Sequence, residues 1–291
     1  RALGEYQEAI RAFQQSFERG REIGEKEKIG WSLFNIGETE IFIGDHSNAE
    51  DRWRHANRLF RQVGTSLGVA WTNIDLSLMA LLKGDFEDSR LLVEEALDIA
   101  NEANRPLSSM KQALVLLGYL ALVEDNYQEG QGLFEKVFSV STASAEASLG
   151  SVFVACGLGD YSLARQRLQK TLRSTSPFRT PAMANLVLPA AALILAHEGE
   201  KEPAVELLAL AYHHPTNPKA LLEKWPLLTR FQREAEVGLS PEVYLAAWAR
   251  GRAFDFDVAV ATLQEQFQAE PPTKSVANRP TPCRAPNRAR D

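Results

Sequence analysis

The amino-acid sequence predicts an all-α protein, an α-solenoid in which helix-turn-helix repeats with a period of about 40 residues stack into a superhelix. Three observations predict this fold. A turn containing glycine and an acidic residue recurs along the chain, a helical pattern with small residues follows each turn, and a more apolar helical pattern precedes it. A recurring period in this range is the signature of stacked repeats, in which each unit packs on its neighbours.

The turns set the period. Their copies begin at Gly4, Gly44, Gly84, Asp125, Gly159 and Gly199, at intervals of 40, 40, 41, 34 and 40 residues. The copy at Asp125 is the weaker one because it lacks the glycine. Glycine at a helix C-terminus can take the left-handed conformation, and an acidic residue after it can cap the next helix. We therefore expect a tight turn between two helices at each copy.

Small and apolar residues follow each turn at helical spacing. After Gly44 the pattern consists of Ala49, Trp53 and Ala56, and residues of similar kind recur at the same positions after the other turns. Steps of i, i+4 and i+7 place the three residues on one face of a helix. The small first residue permits close approach of a neighbouring helix, so this second helix of the unit should pack inside the array.

A more apolar stretch before each turn predicts the first helix of the unit. The predicted first helices are Trp31–Ile43, Ala70–Lys83, Met110–Glu124, Glu146–Leu158 and Ala182–Glu198. Between units, Gly24, Gly64 and Asn104 fall 40 residues apart, where the second helix should end.

Three segments are expected along the chain. The repeat array occupies 1–215, and because Gly4 opens a second helix, we expect the array to begin within a unit and the chain to come from a larger protein. Helices at 216–268 depart from the repeat and would cap the array, whose terminal unit needs a polar outer face. Segment 269–291 contains five prolines and little apolar material, which predicts a disordered Pro/Arg-rich tail.

Composition indicates a soluble cytoplasmic protein, with 45% hydrophobic and 24% charged residues. We find neither a signal peptide nor an apolar run approaching the roughly 18 to 20 residues of a membrane span. Cys156 and Cys283 show neither metal-ligand spacing nor a structural pairing, which fits a reducing compartment. Positions 271–291 carry five basic residues and one acidic residue, so the rest of the chain is more acidic than the net charge of −6. An acidic body argues against nucleic acid as a direct partner of the repeats.

A search for catalytic motifs favours a non-enzyme without cofactor or metal. The sequence contains no phosphate-binding loop, dinucleotide-binding glycine motif, zinc-protease motif or nucleophile elbow. His213 and His214 are adjacent and cannot share one metal in the i, i+4 manner, so we expect a helix-end histidine that contacts terminal carbonyls. Asp255 and Asp257 are expected to be capping charges, and Cys156 a buried, inert thiol.

The repeat pattern resembles the tetratricopeptide repeat (TPR). The residues that carry the resemblance are Leu33, Ile36, Gly37, Gly44, Asp45, Ala49, Trp53 and Ala56. The period is longer than the family's usual one, and in this respect the chain is similar to the C-terminal arrays of bacterial STAND signal-transduction ATPases, including LuxR-type regulators. The segment from Gly238 to Phe254, with Ala247-Trp248 and Gly251-Arg252, resembles the end of those arrays, where a final helix follows, here Asp255–Phe267.

This resemblance implies a sensor domain. An effector or partner would bind the array, relieve autoinhibition and permit nucleotide-dependent assembly by an ATPase region that lies outside this chain. The alternative is a constitutive TPR scaffold that binds a partner peptide or helix without switching.

The candidate binding surface is the concave face, which the first helices of a hairpin solenoid should line. Residues at equivalent positions before successive turns share that face and combine aromatic with polar side chains, a composition suited to a peptide, a protein segment or a small effector. They are Trp31, Phe34, Asn35, Glu38, Trp71, Ile74, Asp75, Leu78, Gln112, Val115, Leu116 and Tyr119. The alternative for the apolar ones is that they pack between neighbouring hairpins.

Overall fold

The computed structural model describes residues 2–102, 108–140, 144–174, 178 and 180–268. Asn104, Cys283 and the predicted tail at 269–291 lie outside this part of the chain. Across the described ranges the chain forms sixteen helices and no strand, and the all-α solenoid predicted from the sequence is confirmed.

Twelve helices form the array. They are α1 (Ala2–Ile23), α2 (Lys26–Ile43), α3 (His46–Val63), α4 (Ser66–Lys83), α5 (Phe86–Glu102), α6 (Ser108–Val123), α7 (Tyr127–Val140), α8 (Ala145–Gly157), α9 (Tyr161–Arg173), α10 (Pro181–Asn185), α11 (Val187–Glu198) and α12 (Lys201–His213). The hairpins are α2–α3, α4–α5, α6–α7, α8–α9 and α11–α12, and each packs on the next along the array. The first helices α4, α6 and α8 lie against one another, whereas α2 approaches α4 at only a few positions.

Four glycine turns have the predicted chemistry, whereas Gly4 lies within α1 and does not form the expected turn. Gly44, Gly84, Gly159 and Gly199 take positive φ angles between 73° and 102°, the region that favours glycine. The carboxylate of Asp160 accepts a hydrogen bond from the backbone N–H of Leu163 at 2.9 Å and so caps α9.

Asp125 occupies the glycine position of the fourth turn with a φ of 58°. A non-glycine residue in this region is strained, by about 1 to 2 kcal/mol. The following Asn126 takes the capping position, where its side-chain oxygen accepts from the N–H of Glu129 at 3.3 Å. The turn therefore keeps its geometry without glycine.

Large aromatic side chains pack on glycines of the first helices. Phe134 on α7 lies against Gly118 and Gly150, where a β-carbon would come within 2.6 Å and 2.2 Å of its ring. Phe60 on α3 lies against Gly68 in the same way, at 2.4 Å. Real β-carbons do not approach other atoms this closely, so these glycines set the separation of the stacked helices.

Four further helices follow the array: α13 (Lys219–Lys224), α14 (Pro226–Gly238), α15 (Pro241–Arg252) and α16 (Phe256–Gln268). Helix α15 packs along α12, and α16 folds back onto α9. Helices α13 and α14 instead pack back on the array, α13 on α4 and α14 on α11 and α12, and we call residues 219–238 the strap.

The stretch 181–198 is long and apolar enough to cross a membrane, judged by its 18 residues and mean hydropathy of 1.3. This corrects the expectation that no apolar run approaches the length of a membrane span. The stretch is divided between α10 and α11, and 72% of it is buried inside the protein. It forms the core of the last repeat.

We predict different costs for the same substitution in two turns. Gly44→Ala should lower the free energy of unfolding by about 1 kcal/mol through backbone strain alone, because its added β-carbon meets no atom within 4 Å. Gly84→Ala should cost at least about 1 kcal/mol more, because its β-carbon would lie 2.6 Å from Lys224 Cδ and 3.2 Å from the carbonyl oxygen of Ala220. Urea denaturation of both variants measures the difference. Equal losses would show that the strap does not press on this turn.

Candidate functional site

The structure brings the two predicted tryptophans into one aromatic cluster. The ring of Phe34 lies 5.7 Å from that of Trp31, edge to face, and 6.4 Å from that of Trp71. Phe34 is buried, whereas both tryptophans are half-buried. Each tryptophan therefore supports the array with one part of its ring and exposes another part to solvent. Aromatic pairs at these distances favour tilted geometry because of their quadrupoles.

A cavity of about 420 Å³ opens beside this cluster, between α2, α4, α6 and the start of α8. Four predicted residues line it, namely Glu38, Asp75, Leu78 and Gln112. They come from three successive first helices, as the alignment of the repeats requires. The volume lies within the range of ligand pockets, roughly 300 to 1,000 Å³.

The cavity lining combines carboxyl groups with apolar surface. Asp75 is 2% exposed and Glu146 is 6% exposed, so both carboxyl groups lie below the molecular surface. Lys111 on α6 contributes a basic group, and Phe42, which is 44% exposed, contributes an aromatic ring. This combination can accept polar and apolar groups of one ligand together.

The other predicted residues lie deeper. Ile74, Val115, Leu116 and Tyr119 are at most 4% exposed and pack between helices, while Asn35 is half-buried. All four belong to the buried core, as in the alternative that the apolar residues pack between neighbouring hairpins. A binding role for any of the predicted residues stays a prediction.

Trp225 of the strap covers two aromatic side chains of the middle repeats, Tyr119 of α6 and Phe153 of α8. The ring of Trp225, which is 0% exposed, lies 4.6 Å from that of Phe153 and 6.3 Å from that of Tyr119. The phenol of Tyr119 donates to the carbonyl oxygen of Glu146 at 3.0 Å. This contact was not predicted from the sequence, although Trp225 precedes a proline in a segment that departs from the repeat.

Polar groups fasten the strap to the turns. Lys224 donates to the carbonyl oxygen of Gly84 at 2.9 Å. Arg230 binds both carboxylate oxygens of Asp125 at 2.6 Å and 3.1 Å, and donates to the Tyr127 hydroxyl at 3.0 Å. The hydrogen bonds from Arg230 lower the pKa of Asp125, and burial followed by the neighbouring Asp125 raises the pKa of Tyr127.

The residues that were considered as metal ligands or catalytic groups have structural roles. His213 Nδ1 lies 2.8 Å from the carbonyl oxygen of Ala209, which confirms the predicted helix-end contact. The Asp255 carboxylate caps α16 through the N–H of Val258 at 3.0 Å. Burial raises the pKa of the Cys156 thiol to about 12, so the thiol stays protonated and unreactive at neutral pH. The described residues contain no group of three or more potential metal ligands.

The N-terminal part of the chain is similar to a known repeat family. A family profile described as the tetratricopeptide repeat matches residues 1–62, which cover α1, α2 and nearly all of α3. No curated protein matches the chain. Together with the stacked hairpins, the match supports a TPR array, an architecture that generally serves protein interaction and is typically non-catalytic.

We predict a pH-dependent contribution from the ion pair between Arg230 and Asp125. The folded-state pKa of Asp125 is lowered from 3.8, so the stabilisation is fully present above that pH and is lost as the pH falls through the folded-state pKa. Arg230→Gln should reduce the free energy of unfolding by about 1 kcal/mol or less at pH 7, because the pair is partly exposed. The difference in the free energy of unfolding between this variant and the unmodified protein should become smaller below about pH 4.

Urea denaturation between pH 3 and pH 7 measures the free energy of unfolding of the variant and of the unmodified protein. Arg233→Gln is the matched control, because Arg233 is exposed on the same helix. A difference that does not change with pH would assign the effect of Arg230 to packing instead of charge.

Proposed function

We propose that this chain is a non-catalytic interaction domain that binds a segment of a partner protein on its concave face, with the cavity between α2, α4 and α6 as the anchor site. One observation carries the proposal: residues from three successive repeats, including Glu38, Asp75 and Gln112, line a single cavity. A site built from several repeats can bind an extended peptide, because each repeat contacts a different part of the peptide.

The chemistry of the cavity favours an occupant with both basic and apolar groups. Three carboxyl groups, of Glu38, Asp75 and Glu146, face the same space as the single amine of Lys111 and the apolar Phe42 and Met79. The half-buried Trp31 and Trp71 lie on the same helices, α2 and α4, and offer stacking surface next to it. A peptide with a basic side chain beside apolar ones meets these requirements, and a small cationic effector meets part of them.

The wider context follows from the resemblance to STAND arrays. In this proposal the chain is the cytoplasmic sensor of a signalling ATPase or LuxR-type transcriptional regulator, and occupation of the cavity relieves autoinhibition. For this the occupant must bind more tightly to one arrangement of the array and the ATPase region than to the other. The second candidate is a constitutive scaffold, favoured by the fully buried Trp225, which fixes the middle of the array in one form.

We predict that peptides selected for binding to the unmodified protein bind more weakly when residues that line the cavity are substituted. Twelve-residue peptides are selected by phage display, and their dissociation constants are measured by titration calorimetry. Glu38→Gln and Gln112→Ala should each weaken binding roughly tenfold, the equivalent of about 1.4 kcal/mol. Glu87→Gln is the control, because Glu87 is exposed at the start of α5, away from the cavity.

Undiminished binding by both cavity variants would contradict the site. Peptide binding by Trp31→Ala and Trp71→Ala then tests whether the aromatic cluster is the binding site instead. To separate sensor from scaffold, ATP hydrolysis by the natural polypeptide is measured with and without the selected peptide. A peptide-dependent increase in ATP hydrolysis supports the sensor, and its absence supports the scaffold.

A further inference from the structure

The cavity between α2, α4 and α6 is acidic. Among the described residues that line it, Glu38, Asp75 and Glu146 carry carboxyl groups, and Lys111 carries the single amine. A guanidinium group can donate two parallel hydrogen bonds to one carboxylate, a geometry that the ammonium group of lysine cannot provide. The lining therefore favours an occupant that contains arginine.

The end of the same chain has the complementary composition. Residues 271–291, which follow the described part of the chain and which we call the basic segment, contain one lysine and four arginines but only one acidic residue. Alanine or proline follows three of the four arginines, so small apolar groups stand beside the guanidinium groups. A sequence of this composition cannot form an apolar core of its own and can become ordered only against another surface.

The last helix fixes the place from which the basic segment starts. Phe267 of α16 is 1% exposed, and the guanidinium carbon of Arg165 lies 4.5 Å from the centre of its ring. Gln264 donates to the carbonyl oxygen of Leu172, near the end of α9, at 3.1 Å. The segment therefore starts beside α9.

The cavity is within the span of the basic segment. Phe178 lines the cavity and follows Leu172 by six residues, which span at most about 22 Å. With the contact between Gln264 and Leu172 and the last turn of α16, Gln268 lies within about 40 Å of Phe178. The chain from Gln268 to Arg284 is about 53 Å long when extended, so it can follow the protein surface to the cavity.

A segment of the same chain has an advantage over a free partner. Because it is tethered, its effective concentration at the cavity is set by the length of the tether and is in the millimolar range for short flexible linkers. Even weak pairing of one guanidinium group with the carboxyl groups of the cavity can therefore fill the site.

We propose that the basic segment occupies the cavity of its own chain while no partner is bound, and that a partner must displace it. Arg284, Arg288 and Arg290 supply the guanidinium groups that pair with Glu38 and Asp75. The displacement rests on the proposed binding function, which makes the cavity the anchor site for a partner. The segment then acts as a built-in competitor, so only partners that bind the cavity more tightly than the segment does are retained.

A fluorescent label on Cys283 tests the position of the segment in the full chain. Cys283 belongs to the segment, and the one other cysteine, Cys156, is 3% exposed, so a thiol-directed bimane label is selective for Cys283. Bimane emission is quenched by contact with tryptophan, and the half-buried Trp31 and Trp71 lie on the helices that line the cavity. Labelling of a Cys283→Ser chain checks the selectivity.

The combined substitution Trp31→Phe and Trp71→Phe removes these quenchers and gives the emission of an unquenched label. Glu38→Gln should raise the emission toward that level, whereas Glu87→Gln, outside the cavity, should not change it. Replacement of the three distal arginines by glutamine should have the same effect as Glu38→Gln; the substitutions are Arg284→Gln, Arg288→Gln and Arg290→Gln. Emission that none of the cavity and arginine substitutions raises would overturn the proposal. An equal gain with Glu87→Gln would assign the attraction to the acidic surface in general and would also overturn it, as would quenching that is lost on dilution, which would place the segment in another copy.

Displacement is measured with the tightest phage-selected peptide. Its addition to the labelled chain should raise the emission to the unquenched level. The chain without the three distal arginines should bind the peptide severalfold more tightly than the unmodified chain, because no competitor has to leave. Asp291→Asn, which changes the charge of the segment but removes no arginine, should not strengthen peptide binding.

The two proposals fail separately. Equal peptide affinity with and without the distal arginines would overturn the competition while the binding function stands. Failure of every selected peptide to respond to Glu38→Gln and Gln112→Ala would remove the binding function, and the emission of the labelled chain alone would still decide whether the basic segment occupies the cavity.

Discussion

The contact of an aromatic ring with glycine is the constraint on which the stacking of this array depends. Trp53 lies on Gly37 of its own hairpin, and Phe134 lies on Gly118 of its own hairpin and on Gly150 of the next. Each ring fills the space that a side chain on the first helix would occupy, so the helices pack closely and in one register. Loss of such a buried ring typically costs about 3 to 5 kcal/mol, a large fraction of the stability of a domain. The first-helix surface that faces inward is a consequence of this register.

The repeat itself was predictable because its rules are local. Left-handed glycines, capping carboxylates and helical periodicity act within a few residues, and Gly44, Gly84 and Asp160 behave as the sequence indicates. The alignment of successive turns predicted that Trp31, Phe34 and Trp71 share one face, and the ring of Phe34 lies 5.7 Å from that of Trp31 and 6.4 Å from that of Trp71. Equivalent positions in stacked units must be neighbours, whatever the details of side-chain packing.

The features that were not predicted from the sequence depend on contacts between distant parts of the chain. Periodicity alone cannot distinguish a residue on an open inner face from one under a covering segment, and Tyr119 is buried because Trp225 lies over it. The weak turn at Asp125 looked like an imperfect copy, yet its carboxylate is where Arg230 binds. The ion pair with a distant residue accompanies the backbone strain of Asp125, and the sequence indicated only that this turn lacks a glycine.

The strap also changes how the chain can acquire its structure during synthesis. An array of hairpins folds through contacts between near neighbours and can begin at any unit. The bond from Lys224 to Gly84 instead joins residues 140 positions apart, and contacts of such separation form late because closing the intervening loop costs entropy. The middle repeats therefore emerge from the ribosome long before the segment that completes their core. Until then, Tyr119 and Phe153 expose an apolar socket to which other chains can bind.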